Sequence, residues 1–312
     1  MTKVNEFKIE NIQLVRECFY QGDVLTKEVI KESTGLSNAT LVNILSCLLE
    51  TKEIKQIDDA KSTGGRKKKQ YVLNPSYAYL LKVHLHKHRK VHVFDVSLCN
   101  LNDEVIRKES MRSSKGSIEE LFGILDACIT SKVKMLCISI PGICKEGIIR
   151  ECDFKQFENI DLGKQLKGRY KIPYVIENDV NVAVIGCTKK YKDIKDMVLI
   201  YQPQQDYFGC GILIDGKLYN GYSHAAGELR FLPDKTLKQQ DEENKKHPKE
   251  FLENRIKIMK TILDPEKMLV ASDLCDVSTI KNITPIKNMD EIILEGLFNI
   301  GLHNLGGKEY VR

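Results

Sequence analysis

The sequence predicts two joined units: a winged helix-turn-helix over residues 1–75 and an α/β domain over residues 76–312. Three observations predict this. Three short amphipathic segments separated by glycine occupy residues 7–52. Two alternating runs around a Gly-rich basic tip follow them. From about residue 77 the texture changes to strand-like runs alternating with helical ones, the pattern of an α/β domain with a largely parallel sheet.

In the first unit, Ile9, Ile12, Val15 and Cys18 or Phe19 recur at helical spacing and predict a helix over about 7–21. Gly22-Asp23 breaks it. Thr26 is placed to cap a second helix, KEVIKEST, and Gly35 to stop it. Ser37 caps a third, SNATLVNILSCLLETK, whose apolar residues Leu41, Ile44, Leu45 and Leu48 fall on one side. Two helices joined by three or four residues that include a glycine make a helix-turn-helix. EIKQIDD and QYVLN, around AKSTGGRKKK, then read as a β-hairpin wing, and Pro75 closes the unit.

In the second unit, residues 79–110 read as a meander of three strands. SIEELFGILDACITS is a helix, and VKMLCISIPGI a buried strand ending in Pro-Gly. LGKQLKGRYK is a helix, and YVIENDV a strand running into the helix NVAVIGCTKKY. DMVLIYQP, FGCGILIDGKLY and KMLVASD are further strands. Residues 232–260 are polar and lysine-rich, then helical, and 289–304 form a last helix.

Composition narrows the class. The chain has 312 residues, enough for two domains and a sizeable core. It has no apolar run of membrane-spanning length, and its first twenty residues are charged throughout, so a cytoplasmic protein with no membrane partner is expected. The ten cysteines form no CxxC pair, and Cys18, Cys47, Cys128, Cys137 and Cys187 lie in apolar-periodic segments; reduced, mostly buried thiols are expected. The net charge of +5 is mild, but Lys61 to Lys69 carries five basic residues and no acid.

A helix whose first turns face outward can enter the major groove. Here the outward residues are Ser37, Asn38, Ala39, Thr40 and Asn43. Asparagine can bond adenine bidentately, and the small residues can meet phosphate or a thymine methyl. Arg66, Lys67, Lys68 and Lys69 of the wing would lie on the flanking backbone or reach the minor groove. The expected partner is a double-stranded DNA operator.

With these motifs in view, the chain resembles the ROK family of repressors, open reading frames and kinases. GLSNATLVNILSCLLETKEI and GGRKKKQYVLNP precede SIPGICKEGII, ENDVNVAV and GYSHAAGEL in family order, and the resemblance covers nearly the whole chain. It implies a two-lobed actin/hexokinase-like, ribonuclease H-like domain with its ligand between the lobes. In the family's kinases the aspartate matching Asp179 is general base toward a sugar hydroxyl, while the residues matching Asn178 and Glu228 hold sugar hydroxyls. Asn178-Asp179 also suits a helix cap, and the two roles are compatible.

The departures from the family are as informative. Where its kinases carry an Asp-x-Gly-Gly-Thr turn against phosphate, this chain reads VHLHKHRKVHV. The second phosphate turn reads Gln205-Asp206-Tyr207-Phe208-Gly209-Cys210-Gly211, and the glycine pair at adenosine matches Ala271-Ser272-Asp273. Phe231 stands at the zinc-site histidine, and no cysteine follows in residues 234–255. No cofactor, no metal and no kinase activity are therefore expected. His84, His86 and His88 share one face of a strand, and with His92 they leave metal binding open as a lesser alternative; lacking an interleaved Cys or carboxylate, they read first as an exposed polar strand or hairpin.

These features together lead to a non-catalytic transcriptional regulator, a repressor of carbohydrate-related genes responding to a sugar or sugar phosphate at Asn178, Asp179 and Glu228. A homodimer or tetramer is expected from operator symmetry. The alternatives are a sugar kinase using Asp179 as base, and a regulator controlled by a protein partner.

Overall fold

The computed structural model describes residues 3–20, 24–58, 69–204 and 208–305. The head begins with α1 (Lys3–Tyr20), β1 (Leu25–Thr26), α2 (Lys27–Thr34) and α3 (Asn38–Glu50). It closes with the hairpin β2 (Ile54–Asp58) and β3 (Lys69–Leu73). The strands form one sheet in the order β1-β3-β2, with Ile54 opposite Leu73 and Asp58 opposite Lys69. Thr26 Oγ1 accepts the Val29 amide and Ser37 Oγ the Thr40 amide, so both expected caps are made. Gly35 stops α2 in the left-handed region at φ 68°.

Val15, Phe19, Ile30, Leu41, Leu45 and Leu48 fill the core of the head. Ile9, expected on the inner face of α1, is instead 49% exposed. Gly22-Asp23 and the wing tip with Arg66, Lys67 and Lys68 lie outside the described residues.

The second unit contains two sheets of one topology. The first is built from β4 (Tyr79–His88), β5 (Val91–Asn100), β6 (Val105–Ser113), β7 (Val133–Ile140) and β11 (Tyr174–Asn178). Between them come α4 (Ile118–Cys128), the strands β8 (Gly142–Lys145), β9 (Ile148–Cys152) and β10 (Ile160–Asp161), and α5 (Leu162–Tyr170). After α6 (Asp179–Cys187) the second sheet follows: β12 (Met197–Gln202), β13 (Gly209–Ile214), β14 (Lys217–Leu218), β15 (Lys267–Ser272) and β16 (Thr284–Pro285). α7 (Leu237–Lys246) and α8 (Pro248–Leu263) precede β15, and α9 (Met289–Leu305) ends the fold.

The strand orders are β6-β5-β4-β7-β11 and β14-β13-β12-β15-β16. In each sheet the first three strands are antiparallel neighbours and the last two run parallel to the third. The sheets are thus mixed, not largely parallel, because tight turns join the meander strands and only the helical crossovers give parallel neighbours.

The helices α6 and α9 lie between the two sheets. One core cluster joins Leu80, Cys137, Val182, Leu199, Leu269 and Leu297 across both sheets and both helices. The helices can approach because two glycines sit at their crossing: a Cβ on Gly296 would stand 1.9 Å from Val182 O, and one on Gly186 would stand 2.2 Å from Ile292 O. The outer faces are covered by α4 and α5 on the first sheet and by α8 on the second. Tyr20, Leu73 and Tyr77 pack against the central cluster, which ties the head to the layer between the lobes. Seven cysteines are buried, Cys18 and Cys275 are half-buried, and Cys47 is exposed; all ten are free thiols.

Candidate functional site

The site lies at the carboxyl ends of the parallel strands, the usual ligand edge of an open α/β sheet. β7 and β11 end side by side, Ile140 opposite Asn178, and this brings Pro141-Gly142 against the start of α6. A cleft of about 210 Å³ opens there between the lobes. Asn178, Asp179 and Glu228, expected from the sequence to act together, all line it.

Asn178 is the N-cap of α6. Its Oδ1 accepts the amides of Val180 at 2.9 Å and Asn181 at 3.1 Å, and its Nδ2 donates to Gly142 O at 3.1 Å. The cap consumes the carbonyl side and leaves the second Nδ2 hydrogen for a ligand. Asp179 begins the helix. Burial and the neighbouring Asp153 push its carboxyl up to about 8, and its Oδ1 accepts the Val180 amide at 2.9 Å. Burial also raises the Glu228 carboxyl, against the pull of Arg230, whose Nε lies 3.2 Å from Glu228 Oε2. Arg230 also donates to Glu151 Oε2 at 2.7 Å.

Beneath these residues is a buried network that the motifs did not disclose. Glu177 Oε1 accepts the Asn178 amide at 2.8 Å and Asn181 Nδ2 at 3.0 Å; Glu177 Oε2 accepts Asn220 Nδ2 at 3.0 Å. Asn220 Oδ1 in turn accepts from Asn181 Nδ2. Glu177 and Asn181 stood in the ENDVN motif, but only the fold could bring Asn220 to them. Gly227 closes the same corner with φ 91°, and a Cβ there would meet Cys210 O at 1.9 Å. His224, Asp153 and Arg230 also line the cleft without having been singled out from sequence. Phe231, at the position of the family histidine, is 54% exposed, with the Arg230 guanidinium 4.8 Å from its ring centre.

The β4–β5 turn also faces the cleft. His86, Lys87, His88 and Arg89 line it at the β4–β5 turn, and Arg89 takes the left-handed backbone at φ 58°. Tyr201 and Asp273 also line the cleft, with Tyr201 Oη donating to Asp273 Oδ2 at 2.8 Å; behind Asp273 in sequence, Ser272 Oγ donates to Gln202 Oε1 at 2.6 Å. Phe208 packs on Phe251 at 5.7 Å, while Gln205, Asp206 and Tyr207 lie outside the described residues.

The histidine strand differs from expectation. β4 is the middle strand of its sheet, so His84 is 2% exposed and His86 half-buried, and of the three only His88 is exposed. Carboxylates absent from the local sequence arrive from elsewhere: Asp95 from β5, 2.9 Å from His86 Nε2, and Asp290 from α9, 3.6 Å from His84 Nε2. Burial lowers the His84 pKa.

On the head, Ser37, Asn38, Ala39 and Asn43 are exposed at the start of α3 and along its outer face, with Thr40 half-buried. Ser37 Oγ and Thr40 Oγ1 are 2.9 Å apart, so these two hydroxyls are engaged with one another. Val42, 45% exposed beside Asn43, was missed; an apolar residue that breaks the inward helical stripe was the available signal. Lys69 is exposed at the root of the wing. Among the described residues, no helix is long and apolar enough to cross a membrane.

Comparison with known proteins agrees with this architecture. The model of the ROK family matches residues 91–240. The chain is 25% identical over 231 residues to the xylose repressor of Staphylococcus xylosus, covering 70% of this chain and 59% of that protein. It is 23% identical over 249 residues to the DNA-binding transcriptional dual regulator NagC of Escherichia coli K12, covering 73% and 60%. The chain therefore spans less than two thirds of the curated relatives it matches. Among solved structures, a ROK family transcriptional regulator homologous to the E. coli MLC protein superposes with TM-score 0.69 at 15% identity, over 96% of this chain and 98% of that one. A ROK family glucokinase from Streptomyces griseus, solved with glucose and AMPPNP, superposes with TM-score 0.51 at 12% identity, over 71% and 99%. Residues 91–240 match the ROK family domain, and behind its winged helical head the chain has the two-lobed fold of the ROK regulator and ROK glucokinase on which it superposes.

Proposed function

We propose that this protein is a DNA-binding transcriptional repressor of carbohydrate-related genes that senses a sugar or sugar phosphate in the interlobe cleft. Residues 1–75 are its DNA-binding domain and 76–312 its effector and assembly domain. The observation that carries this reading is the pairing of an outward polar α3 amino end with a cleft lined by Asn178, Asp179 and Glu228. Asn38, Ala39 and Asn43 read base edges; Ser37 and Thr40 set the first turn and meet phosphate; Arg66 to Lys69 take the flanking backbone. The partner is an operator bound by a symmetric dimer or tetramer. The relatives named as repressors support this function. A gel-shift screen of the folded protein against DNA upstream of its own gene tests it: retarded bands at low salt are expected, and none would refute it.

A sugar kinase is the second function worth testing, because Asp179 stands at the end of β11 in the cleft, placed as a base would be. Against it, His86, Lys87, His88 and Arg89 line the cleft in place of the glycine-rich turn that approaches phosphate in the family's kinases. ADP release over a panel of sugars, with Asp179→Asn as control, separates the two functions; sugar-dependent turnover lost in that variant would favour the kinase.

A further inference from the structure

We propose that His84, His86 and Asp290 form a binding site for a divalent transition-metal ion of the zinc class, in the same cleft as Asn178 and Glu228. One donor atom from each of the three residues lies within 4.8 Å of the other two. The two histidines are alternate residues of β4 and therefore share one face of the strand. Their rings are stacked, parallel within 9° and 4.6 Å apart. Asp290 comes from the first turn of α9 and faces them.

The spacing suits a bridging ion better than a direct bond. His84 Nε2 and Asp290 Oδ1 are 3.6 Å apart, beyond a normal hydrogen bond. Two donors each about 2.1 Å from a tetrahedral ion sit roughly 3.4 Å from one another. Outer partners already hold both rings: Ser139 Oγ at 2.8 Å from His84 Nδ1, and Asp95 Oδ2 at 2.9 Å from His86 Nε2. Such supports fix ring orientation in metal sites. Two imidazoles and a carboxylate select zinc, cobalt or iron(II) over magnesium, which prefers all-oxygen ligands. All three residues line the cleft, so the remaining coordination positions open toward it.

The test uses full-length, tag-free protein titrated with Zn²⁺, Co²⁺ and Mg²⁺ by calorimetry, with DNA absent, so that it reads independently of the proposed repressor function. One Zn²⁺ or Co²⁺ per chain and no Mg²⁺ is expected. Asp290→Asn and His86→Gln, at residues with exposed and half-buried side chains, should each weaken binding at least about tenfold, while His247→Gln leaves it unchanged. The absorption of the Co²⁺ form gives a readout that needs no variant: ligand-field bands without a thiolate charge-transfer band are expected. Binding that survives both substitutions, a thiolate band that moves the ion to a cysteine, or Zn²⁺ uptake no greater than that of Mg²⁺ would overturn the proposal.

Discussion

The Glu177 carboxylate on β11 and the Asn220 amide beyond β14 are bonded at 3.0 Å, which joins the end of the first lobe's sheet to a loop of the second, directly under the cleft. Asn181 bonds both, at 3.0 Å each. Every heavy-atom acceptor of Glu177 is used, so an isosteric amide cannot replace it without setting a donor against a donor. Glu177→Gln is expected to cost about 1–3 kcal/mol, the penalty of an unsatisfied buried polar group. Asn220→Ala should cost a similar amount. Denaturant titration measures both, and a neutral Glu177→Gln would show that the network does not hold the lobes.

Asp179 gives a pH prediction. Its carboxyl is raised to about 8 in the folded protein, first by burial and then by Asp153, and ionises in the ordinary carboxylate range when unfolded. A raised carboxyl contributes stability that is complete below the unfolded pKa and is lost as pH climbs through the folded value. Asp179→Asn abolishes that loss. The variant should gain on wild type between pH 4 and pH 9, on the order of 5 kcal/mol. Melting temperatures at pH 5 and pH 8.5 check this, and a pH-independent difference would contradict the burial account.

Gly227 should tolerate nothing larger. It combines φ 91° with a Cβ position 1.9 Å from Cys210 O, and its own carbonyl accepts the Cys210 amide at 2.9 Å. Gly227→Ala must move the strand edge beside Glu228, at a cost of about 2–4 kcal/mol. Thermal denaturation reads this. Gly35→Ala is the comparison: φ is 68° but nothing lies within 4 Å of the added carbon, so only the backbone strain of about 1 kcal/mol applies.

On the head, Asn43→Ala is expected to weaken operator binding by about 1–3 kcal/mol and to relax preference at one base pair. Lys69→Ala should weaken all sequences alike and reduce the salt slope by about one unit. Fluorescence anisotropy with operator and scrambled duplexes separates the two patterns. Ser37→Ala tests stability instead, at about 1 kcal/mol for the lost cap.

Local signals were legible and tertiary ones were not. Thr26, Gly35 and Ser37 announced their caps because capping depends on neighbours in sequence. ENDVN marked a strand-to-helix corner correctly, and the structure begins α6 at Asp179 within it. The strands β8 and β9 were not read, because Pro141-Gly142 looked like an end and the hairpin alternates only weakly. His84 was expected on an exposed strand because its burial comes from Ser139 and α9, far away in the chain. Asn220, His224 and Arg230 carried no motif, and only the meeting of the two lobes makes them part of the cleft.

The repressor function is tested most directly by titrating the protein onto a labelled duplex from its own upstream region and onto a scrambled duplex of the same length, at physiological salt. Affinity for the genuine site at least about 10³-fold tighter than for the scrambled one is expected, with release on adding one member of a panel of sugars and sugar phosphates. Equal affinity for the two duplexes, from folded protein, would contradict it.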